Sequence, residues 1–168
     1  MDKHFCILFS GPIGCSKSPI AQYLGTELNL PILNNDTMRT ESLEDNHVFD
    51  QSKYEKLRDE RLKAIIMRKQ SFIYDASVDR MWPALKEWLT HSDYEFFIIS
   101  VDVSENFLRD LYLLKGYNES LDVIGRSIDD HRKFLENFGD EVGVHITEDN
   151  FLHRLECSLG AAKVWLSK

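Results

Sequence analysis

Residues 4–18 read HFCILFSGPIGCSKS, and this stretch decides the fold. Residues 4–10 are mostly apolar without alternation, which is typical of a β-strand buried on both faces. A loop with two glycines follows and runs into residues 17–28, where apolar side chains recur at helical spacing. The stretch therefore predicts a strand, a tight loop and a helix in direct succession.

The rest of the chain continues to alternate short apolar runs with longer amphipathic segments. This pattern predicts further strands at residues 31–35, 72–74, 95–103 and 142–147, and further helices at 52–69, 81–90, 104–115, 128–138 and 149–166. Strands and helices that take turns form a mainly parallel sheet with helices on both faces. We therefore predict an α/β fold with about five parallel strands, whose ligands bind at the carboxyl ends of the strands.

Composition restricts the classes of protein and of partner. The chain has 168 residues, which suits one domain over 1–168, and its 43% hydrophobic and 29% charged residues are typical of soluble globular proteins. The net charge of −8 counts against extended nucleic acid as a partner, but a small phosphorylated ligand can still bind in a local basic pocket. No apolar run approaches the roughly 20 residues that span a membrane, and no signal peptide is recognisable. Three scattered cysteines fit a reducing compartment, so we expect a cytoplasmic protein.

The glycine loop after the first predicted strand follows the phosphate-binding pattern G-x-x-x-x-G-K-[ST] with one departure. Such a loop wraps its backbone N–H groups around phosphate oxygens, and the dipole of the following helix favours the same anion. The lysine would reach the β- and γ-phosphates of a nucleotide, and the serine hydroxyl would bind Mg²⁺. The predicted nucleotide-binding residues are Gly11, Pro12, Ile13, Gly14, Cys15, Ser16, Lys17 and Ser18.

Ser16 stands where the pattern has its second glycine. Its Cβ is tolerated if this position does not need a positive φ, and Gly14 is another source of flexibility. The alternative interpretation is a glycine–serine turn that merely enters a helix. The buried-type strand before the loop and the helix after it favour phosphate binding.

Asp36 and Arg39 are spaced to lie on the same side of a helix that begins at the second strand end. A carboxylate there can accept the proton of an attacking hydroxyl or position the water shell of a metal ion. A guanidinium can hold an acceptor phosphate with two hydrogen bonds. The alternative is an aspartate that caps the helix, next to a surface arginine.

Together these motifs resemble the P-loop kinases of the nucleoside/nucleotide kinase-like group, most closely the polynucleotide-kinase-like and zeta-toxin-like AAA-family ATPases. The resemblance extends from residue 5 to about residue 110 and includes the motif from Phe72 to Ser77. It implies a three-layer αβα fold with a small helical lid, and ATP with Mg²⁺ as the phosphoryl donor. It also implies that Asp36 is the general base and that Arg39 binds the acceptor.

Asp75 and Asp102, like Asp36, come just after predicted strands, and Asp79 follows closely after Asp75. We expect Asp75 to hold the Mg²⁺ water shell or to orient an arginine. In the kinases that the chain resembles, such an acid lies beside the arginine of the D-x-x-R motif, which implies that Asp75 lies near Arg39. The alternative is an ordinary aspartate in a turn. Asp79, with Arg80, is a candidate for the acceptor side, whereas Asp102 is expected to cap a helix.

Kinases of this kind stabilise the transferred phosphoryl group with arginines from a mobile lid, which we place at about 115–135. Residues 115–127 form the least regular stretch, and Gly116 and Gly125 are possible hinges. Arg126 is the preferred catalytic arginine because it is expected to open a helix. The other nucleotide-contacting candidates are Arg109 and Arg132, and each of the three has the alternative of a surface ion pair.

These expectations lead to an ATP-dependent kinase that transfers the γ-phosphoryl group to a hydroxyl or phosphate of a small acceptor, such as a nucleoside, nucleotide, sugar or polynucleotide end. Its catalytic residues would be Lys17, Asp36, Arg39 and Arg126. The alternatives are a nucleotide-binding module or slow ATPase without an acceptor, and an interaction protein on a kinase fold. No role is predicted for the histidines, and the position of Cys15 at a helix N-terminus predicts a lowered thiol pKa.

Overall fold

The structure, a computed structural model, describes residues 4–117 and 121–168, except for the side chain at position 121. The strands are β1 (His4–Ser10), β2 (Ile32–Asn34), β3 (Phe72–Ser77), β4 (Tyr94–Asp102) and β5 (Val142–Thr147). The helices are α1 (Lys17–Leu28), α2 (Asn35–Asn46), α3 (Gln51–Met67), α4 (Trp82–His91), α5 (Glu105–Lys115), α6 (Leu121–Phe138) and α7 (Arg154–Leu166). Short 3₁₀ helices at Gly139–Glu141 and Glu148–His153 flank β5.

The five strands form one sheet in the order β2-β3-β1-β4-β5, and every neighbouring pair is parallel. The predicted parallel sheet is thus confirmed. β1 lies in the centre, with β3 on one side and β4 on the other. The loop after β1 therefore leaves the sheet where the strand order reverses, which is where ligands bind in open α/β sheets.

Each face of the sheet is covered by helices, which confirms the three-layer αβα fold. Helices α1, α5 and α7 pack on one face against strand residues such as Ile7 and Ile99. Helices α2, α3 and α4 cover the opposite face, where Leu8 and Ile98 point. Helix α6 contributes to both layers, because Ile124 is buried in the first and Phe134 in the second.

Two element boundaries differ from the prediction in ways that affect the site. β3 continues to Ser77, so Asp75 lies within the strand and not at its end, because Phe9 of β1 pairs with Ser77. Helix α6 begins at Leu121 and not near residue 128. Burial of Ile124 in the core is the physical reason, since tertiary packing outweighs the weak helix propensity of the glycine in this segment.

The expected lid segment, about 115–135, falls mostly on helix α6 and begins at the end of α5. Residues 118–120 of the expected lid segment lie outside the described residues. Gly116 ends α5 with φ 66°, as a left-handed cap, so it suits a hinge. Gly125, the second expected hinge, lies inside α6.

Candidate functional site

The loop between β1 and α1 is folded around the N-terminus of that helix. The Lys17 ammonium turns back and donates to the carbonyl oxygens of Gly11, at 3.0 Å, and Pro12, at 2.5 Å. The first amides of a helix have no intrahelical partner, so those of α1 face the loop as donors. An anion held there would meet both these N–H groups and the positive end of the helix dipole.

The loop needs three residues with positive φ, and one of them is not glycine. Gly11 has φ 145°, Gly14 has φ 76° and Ser16 has φ 83°. The possibility that Ser16 would escape a left-handed conformation is therefore wrong. This conformation costs a residue with a Cβ about 1 kcal/mol.

The two glycines are also needed for space. A Cβ on Gly11 would lie 2.8 Å from the Cys15 sulfur, and a Cβ on Gly14 would overlap the ring of Tyr112. The Tyr112 hydroxyl donates to the Ile13 carbonyl at 2.9 Å. Helix α5 thus supports the loop from beneath.

Two cations that the sequence did not indicate lie against the loop. The Lys115 ammonium donates to the Gly14 carbonyl at 2.5 Å, and Arg154 Nε donates to the Ser16 hydroxyl at 3.2 Å. Burial, together with the nearby charges of Lys17 and Arg154, lowers the pKa of Lys115. Among the described residues, none of these three cations forms an ion pair with a carboxylate. An acidic chain therefore keeps a local positive charge at its glycine loop.

The Cys15 thiol does not have the lowered pKa that its position predicted. Cys15 is fully buried, and burial raises its pKa more than the neighbouring Lys17 lowers it. The prediction fails because desolvation outweighs the helix dipole at a site without access to water.

Ser18 and Asp75 form an oxygen pair next to the loop. The Ser18 hydroxyl donates to Asp75 Oδ1 at 3.0 Å, and Asn34 donates to Asp75 Oδ2 at 2.6 Å. Burial raises the pKa of Asp75, which is 4% exposed, and the nearby charge of Asp36 raises it further. Oxygen ligands of this kind fit Mg²⁺, which is usually held by one or two protein groups together with nucleotide phosphates. Within residues 4–117 and 121–168, no three His, Cys, Asp or Glu side chains are grouped to hold a metal ion on their own.

Asp36 lies exposed in the first turn of α2, where it is free of the capping duty considered as its alternative. Asn34 caps this helix, since its side chain accepts from the Thr37 amide at 2.9 Å. The Asp36 carboxylate is close enough to Asp75 to affect its pKa, which places both acids at the same edge of the sheet.

Arg39 does not contact Asp75 in the described structure, although the two were expected to be neighbours. Its guanidinium lies over two aromatic rings instead, 4.3 Å from the centroid of Phe49 and 5.1 Å from that of Tyr54. Tyr54 belongs to α3 and donates to Asn35 at the start of α2. The rings hold the guanidinium beside α2 by cation–π attraction.

The three lid candidates are bound to their own helices. Arg109 donates to Glu105 at 3.0 Å, Arg132 to Asp129 at 3.1 Å, and Arg126 to the Asp122 carbonyl at 3.4 Å. The expectation that Arg126 opens a helix is wrong, because α6 begins five residues earlier. The contact between α6 and the glycine loop is made by Ser127, whose hydroxyl accepts from the Ile13 amide at 3.3 Å.

A buried charged network lies under the loop, and sequence reasoning missed it. His131 Nε2 is 2.7 Å from Asp102 Oδ1, and His131 Nδ1 is 3.3 Å from Asp79 Oδ2. Asp79 also accepts from the Ser10 hydroxyl at 2.7 Å and from the Gly11 amide at 3.3 Å. The network therefore joins α6 to the first residues of the glycine loop.

His131 carries a positive charge in this network. Burial lowers its pKa, but the hydrogen bonds and charges of Asp102 and Asp79 outweigh burial and raise the pKa to about 9. The same contacts hold the pKa of both carboxyls below the usual range. A charged imidazole between two carboxylates satisfies all three groups without water.

The Ser10, His131 and Asp102 side chains are arranged in the order of a hydrolytic triad, with Ser10 Oγ 2.9 Å from His131 Nδ1. The surroundings of Ser10 and of His131 argue against nucleophilic catalysis. Ser10 is fully buried, and its hydroxyl donates to Asp79. A protonated His131 also cannot act as a general base.

Asp102 has a different role from the one predicted. The cap of α5 is Ser104, which accepts from the Phe107 amide at 3.2 Å. Asp102 instead binds His131 and His145, which come from α6 and β5. Arg80, proposed with Asp79 for the acceptor side, forms an exposed ion pair with Asp130 at 3.6 Å.

Several solved structures with the same architecture are kinases. A gluconokinase from Sinorhizobium meliloti superposes with a TM-score of 0.67 at 12% identity, covering 98% of this chain and 95% of that chain. A shikimate kinase from Aquifex aeolicus gives 0.57 at 15% identity, with 97% and 95% covered. An APS kinase from Mycobacterium tuberculosis gives 0.55 at 15% identity, with 98% and 96% covered. No protein-family model and no curated protein matches this sequence.

The fold is that of the P-loop kinases. The resemblance drawn from the loop and the Asp36–Arg39 motif is confirmed at the level of architecture, from the central strand to the last helix. Within the described parts of the chain, no helix has the length and apolar character to cross a membrane.

Arg154, Lys115 and His131 are the site residues that the sequence did not reveal. Arg154 follows an irregular 3₁₀ segment, and Lys115 ends a helix, so both look like ordinary surface cations in sequence. Only one local signal was present: a basic residue at the first position of α7, where the helix dipole disfavours positive charge.

Proposed function

We propose that this protein is an ATP-dependent kinase that transfers the γ-phosphoryl group to a hydroxyl or phosphate of a small acceptor. The observation that carries the proposal is the arrangement of Lys17, Ser18 and Asp75 around the N-terminus of α1, with Asp36 and Arg39 on the next helix, α2. The proximity of Asp36 to Asp75 supports a donor half and an acceptor half that meet at one edge of the sheet.

The donor half of the site would hold ATP through the loop from Gly11 to Ser18. Backbone amides would bind the phosphate oxygens, and the Lys17 ammonium would move from the loop carbonyls to the β- and γ-phosphates. Ser18 and Asp75 would hold Mg²⁺, which supplies charge neutralisation to the leaving phosphate. The Ser18–Asp75 hydrogen bond already places both oxygens together.

The acceptor half would use the first turn of α2. Asp36, exposed and near Asp75, would accept the proton of the attacking hydroxyl. Arg39, held over Phe49 and Tyr54, would bind a polar or anionic group of the acceptor. Most of the rate enhancement would then come from positioning and electrostatics.

We also propose that a lid arginine completes the site. Arg126 is the first candidate, because its neighbour Ser127 already touches the loop at Ile13. Arg109 and Arg132 are the others. Each of the three is exposed or half-exposed and, among the described residues, donates to its own helix, so a change of rotamer would free it.

The proposed acceptor class is a small polar molecule: a nucleoside, nucleotide, sugar or polynucleotide end. The named acceptors of the similar structures, gluconate and shikimate, are small, and the net charge of −8 disfavours a long polyanion. All three cysteines are free in the structure, which supports a reducing, cytoplasmic location. The single five-stranded sheet supports one kinase domain.

A nucleotide-binding module or slow ATPase is the second candidate. The strained Ser16 favours it, because a serine at the glycine position changes the loop that must cradle the phosphates. Such a protein would bind nucleotide but would not need the acceptor groups.

The decisive experiment measures ADP release with ATP·Mg²⁺ over a panel of sugars, shikimate-like hydroxy acids, nucleosides, nucleotides and 5′-hydroxyl oligonucleotides. We expect acceptor-dependent release that Asp36→Asn lowers by about 100-fold or more, as for loss of a general base. Asp45→Asn, at an exposed position of the same helix, is the matched control. Acceptor-independent release that is equal in both variants would instead identify the slow ATPase.

A further inference from the structure

Ser16 is held in a conformation that its own chemistry disfavours. It takes φ 83° and ψ 30°, makes no capping hydrogen bond for α1, and is only 8% exposed. Backbone strain of this kind persists only where the surrounding structure imposes it. A neighbouring group therefore holds Ser16 in this conformation.

The neighbour that binds the Ser16 hydroxyl is Arg154, 138 residues away in sequence. Its Nε donates to Ser16 Oγ at 3.2 Å, and its Nη1 donates to the Phe151 carbonyl at 3.0 Å. The guanidinium also lies 4.5 Å over the Phe151 ring, which packs edge-to-face on Phe107. Arg154 is thus fixed by three contacts and is not a freely moving surface cation.

We propose that Arg154 is a positioning residue for nucleotide binding, which holds Ser16 in the left-handed conformation that the glycine of a usual loop adopts without help. This inference rests on the proposed nucleotide-binding function of the loop. Arg154 is the first residue of α7, so the last helix would set the shape of the first loop. The serine hydroxyl is what makes this control possible, because glycine has no group for the guanidinium to bind.

The charge of Arg154 supports the same role. Its guanidinium is close enough to Lys115 to lower the pKa of that ammonium, which donates to the Gly14 carbonyl. Two cations from outside the loop therefore bind it, one at Gly14 and one at Ser16. Among the described residues, Arg154 donates to a hydroxyl and a carbonyl and pairs with no carboxylate. Its positive charge is therefore not neutralised where phosphates would bind.

A double-mutant cycle tests the proposal, with affinity for a fluorescent ADP analogue in Mg²⁺ and the midpoint of thermal unfolding as the two measurements. Arg154→Met keeps most of the apolar stem and should weaken nucleotide binding about 10-fold, as expected for loss of a hydrogen bond from a charged donor. Ser16→Ala should give the same loss, and the double variant should be no worse than either single one. Arg68→Met, an exposed arginine at the end of α3, is the control and should bind as the parent protein does.

Restoring the glycine provides the discriminating arm. We call the hydrogen bond from Arg154 to Ser16 the tether. In a Ser16→Gly background the loop needs no tether, so Arg154→Met should then change nucleotide affinity by less than about 2-fold. An unchanged 10-fold loss in that background would show that Arg154 acts on the nucleotide directly and would overturn the proposal. So would an Arg154→Met variant that binds normally with Ser16 present.

Failure of the proposed function can be distinguished from failure of this inference, because the two measurements test them separately. If the parent protein binds no nucleotide, the kinase proposal fails, but the unfolding midpoints still report the tether. The tether predicts that Arg154→Met and Ser16→Ala lower the midpoint non-additively, whereas additive shifts would contradict it.

Discussion

Single residues of the glycine loop combine a conformational requirement with a packing requirement. Gly14 shows both, because its φ is positive and the Tyr112 ring fills the space where a Cβ would be. Ser16 meets the first requirement only, with strain and with a hydrogen bond from Arg154. Sites for substitution can therefore be ranked from geometry alone.

Gly14→Ala is expected to destabilise the protein by about 2 kcal/mol and to weaken nucleotide binding at least 10-fold. A left-handed alanine costs about 1 kcal/mol, and displacement of the Tyr112 ring costs a similar amount. Chemical denaturation and nucleotide titration measure the two effects. The matched control is Gly160→Ala inside α7, where a Cβ meets nothing within 4 Å, so stability should rise by about 0.5–1 kcal/mol. Equal effects at the two glycines would contradict this account.

Asp75→Asn is expected to raise the Mg²⁺ concentration needed for half-maximal activity at least 10-fold, because a neutral amide is a poor ligand for a hard cation. Ser18→Ala should shift it in the same direction. Both side chains belong to the oxygen pair beside the loop. Asp45→Asn, in the exposed part of α2, should leave the Mg²⁺ dependence unchanged. A Mg²⁺ requirement that is equal in all four proteins would remove Asp75 from the metal site.

At the scale of elements, α6 is the part that links the layers. It carries Ile124 in one core and Phe134 in the other, and between them His131 meets Asp79 and Asp102 at the carboxyl edge of the sheet. One helix is thus attached by apolar contacts at both ends and by a buried charged network in the middle. The network also fixes the start of the glycine loop, through the bond from the Gly11 amide to Asp79.

His131→Gln is expected to lower the free energy of unfolding by about 3 kcal/mol, because removal of one partner leaves two buried carboxylates without their cation. His153→Gln changes the same residue type at an exposed position and should change stability by less than about 0.5 kcal/mol. Urea denaturation of both variants measures the difference. A loss at His131 no larger than that at His153 would show that the network does not stabilise the fold.

The stability of the protein should also depend on pH through His131. Its pKa rises from 6.5 to about 9 on folding, so its contribution is complete below pH 6.5 and is lost as the pH rises through 9. The shift corresponds to about 3 kcal/mol between these limits. Asp79 and Asp102 have lowered pKa values, so their contribution is present above about pH 4 and disappears in acid. The unfolding free energy of the parent protein should fall from pH 6 to 10, and it should depend less on pH in His131→Gln. His145, which also contacts Asp102, is present in both proteins, so the difference between them reports His131.

At the scale of the whole molecule, an acidic chain concentrates positive charge at one loop. The net charge is −8, yet Lys17, Lys115 and Arg154 all lie against the loop and, within the described residues, pair with no carboxylate. Such a distribution favours a small polyanion in the site and repels an extended one elsewhere.

Nucleotide should therefore stabilise the entire fold. With Mg·ADP at 100 times its dissociation constant, the expected gain is about 2.7 kcal/mol, which raises the unfolding midpoint by roughly 5–10 °C for a chain of this size. Lys17→Met should abolish the shift, while Lys56→Met, an exposed lysine of α3, should preserve it. A shift that survives in Lys17→Met would place the nucleotide somewhere other than the glycine loop.

Local patterns were enough to predict the order of strands and helices, the parallel sheet and the glycine loop between β1 and α1. Each depends on residues that are close in sequence: an apolar run for β1, helical spacing for α1, and a short motif that includes Gly11, Lys17 and Ser18. The same patterns placed Asp36 and Asp75 just after predicted strands, and parallel strands end at one edge of a sheet. Their functional roles remain predictions.

Contacts between distant segments were out of reach of such patterns. Arg154 binds Ser16 across 138 residues, His131 joins Asp79 to Asp102, and Arg39 lies over Phe49 and not beside Asp75. A positive φ at Ser16, the charge on His131 and the raised pKa of Cys15 all follow from what the folded chain brings around these groups. Burial and long-range pairing set these properties, and neither exists until the layers have packed.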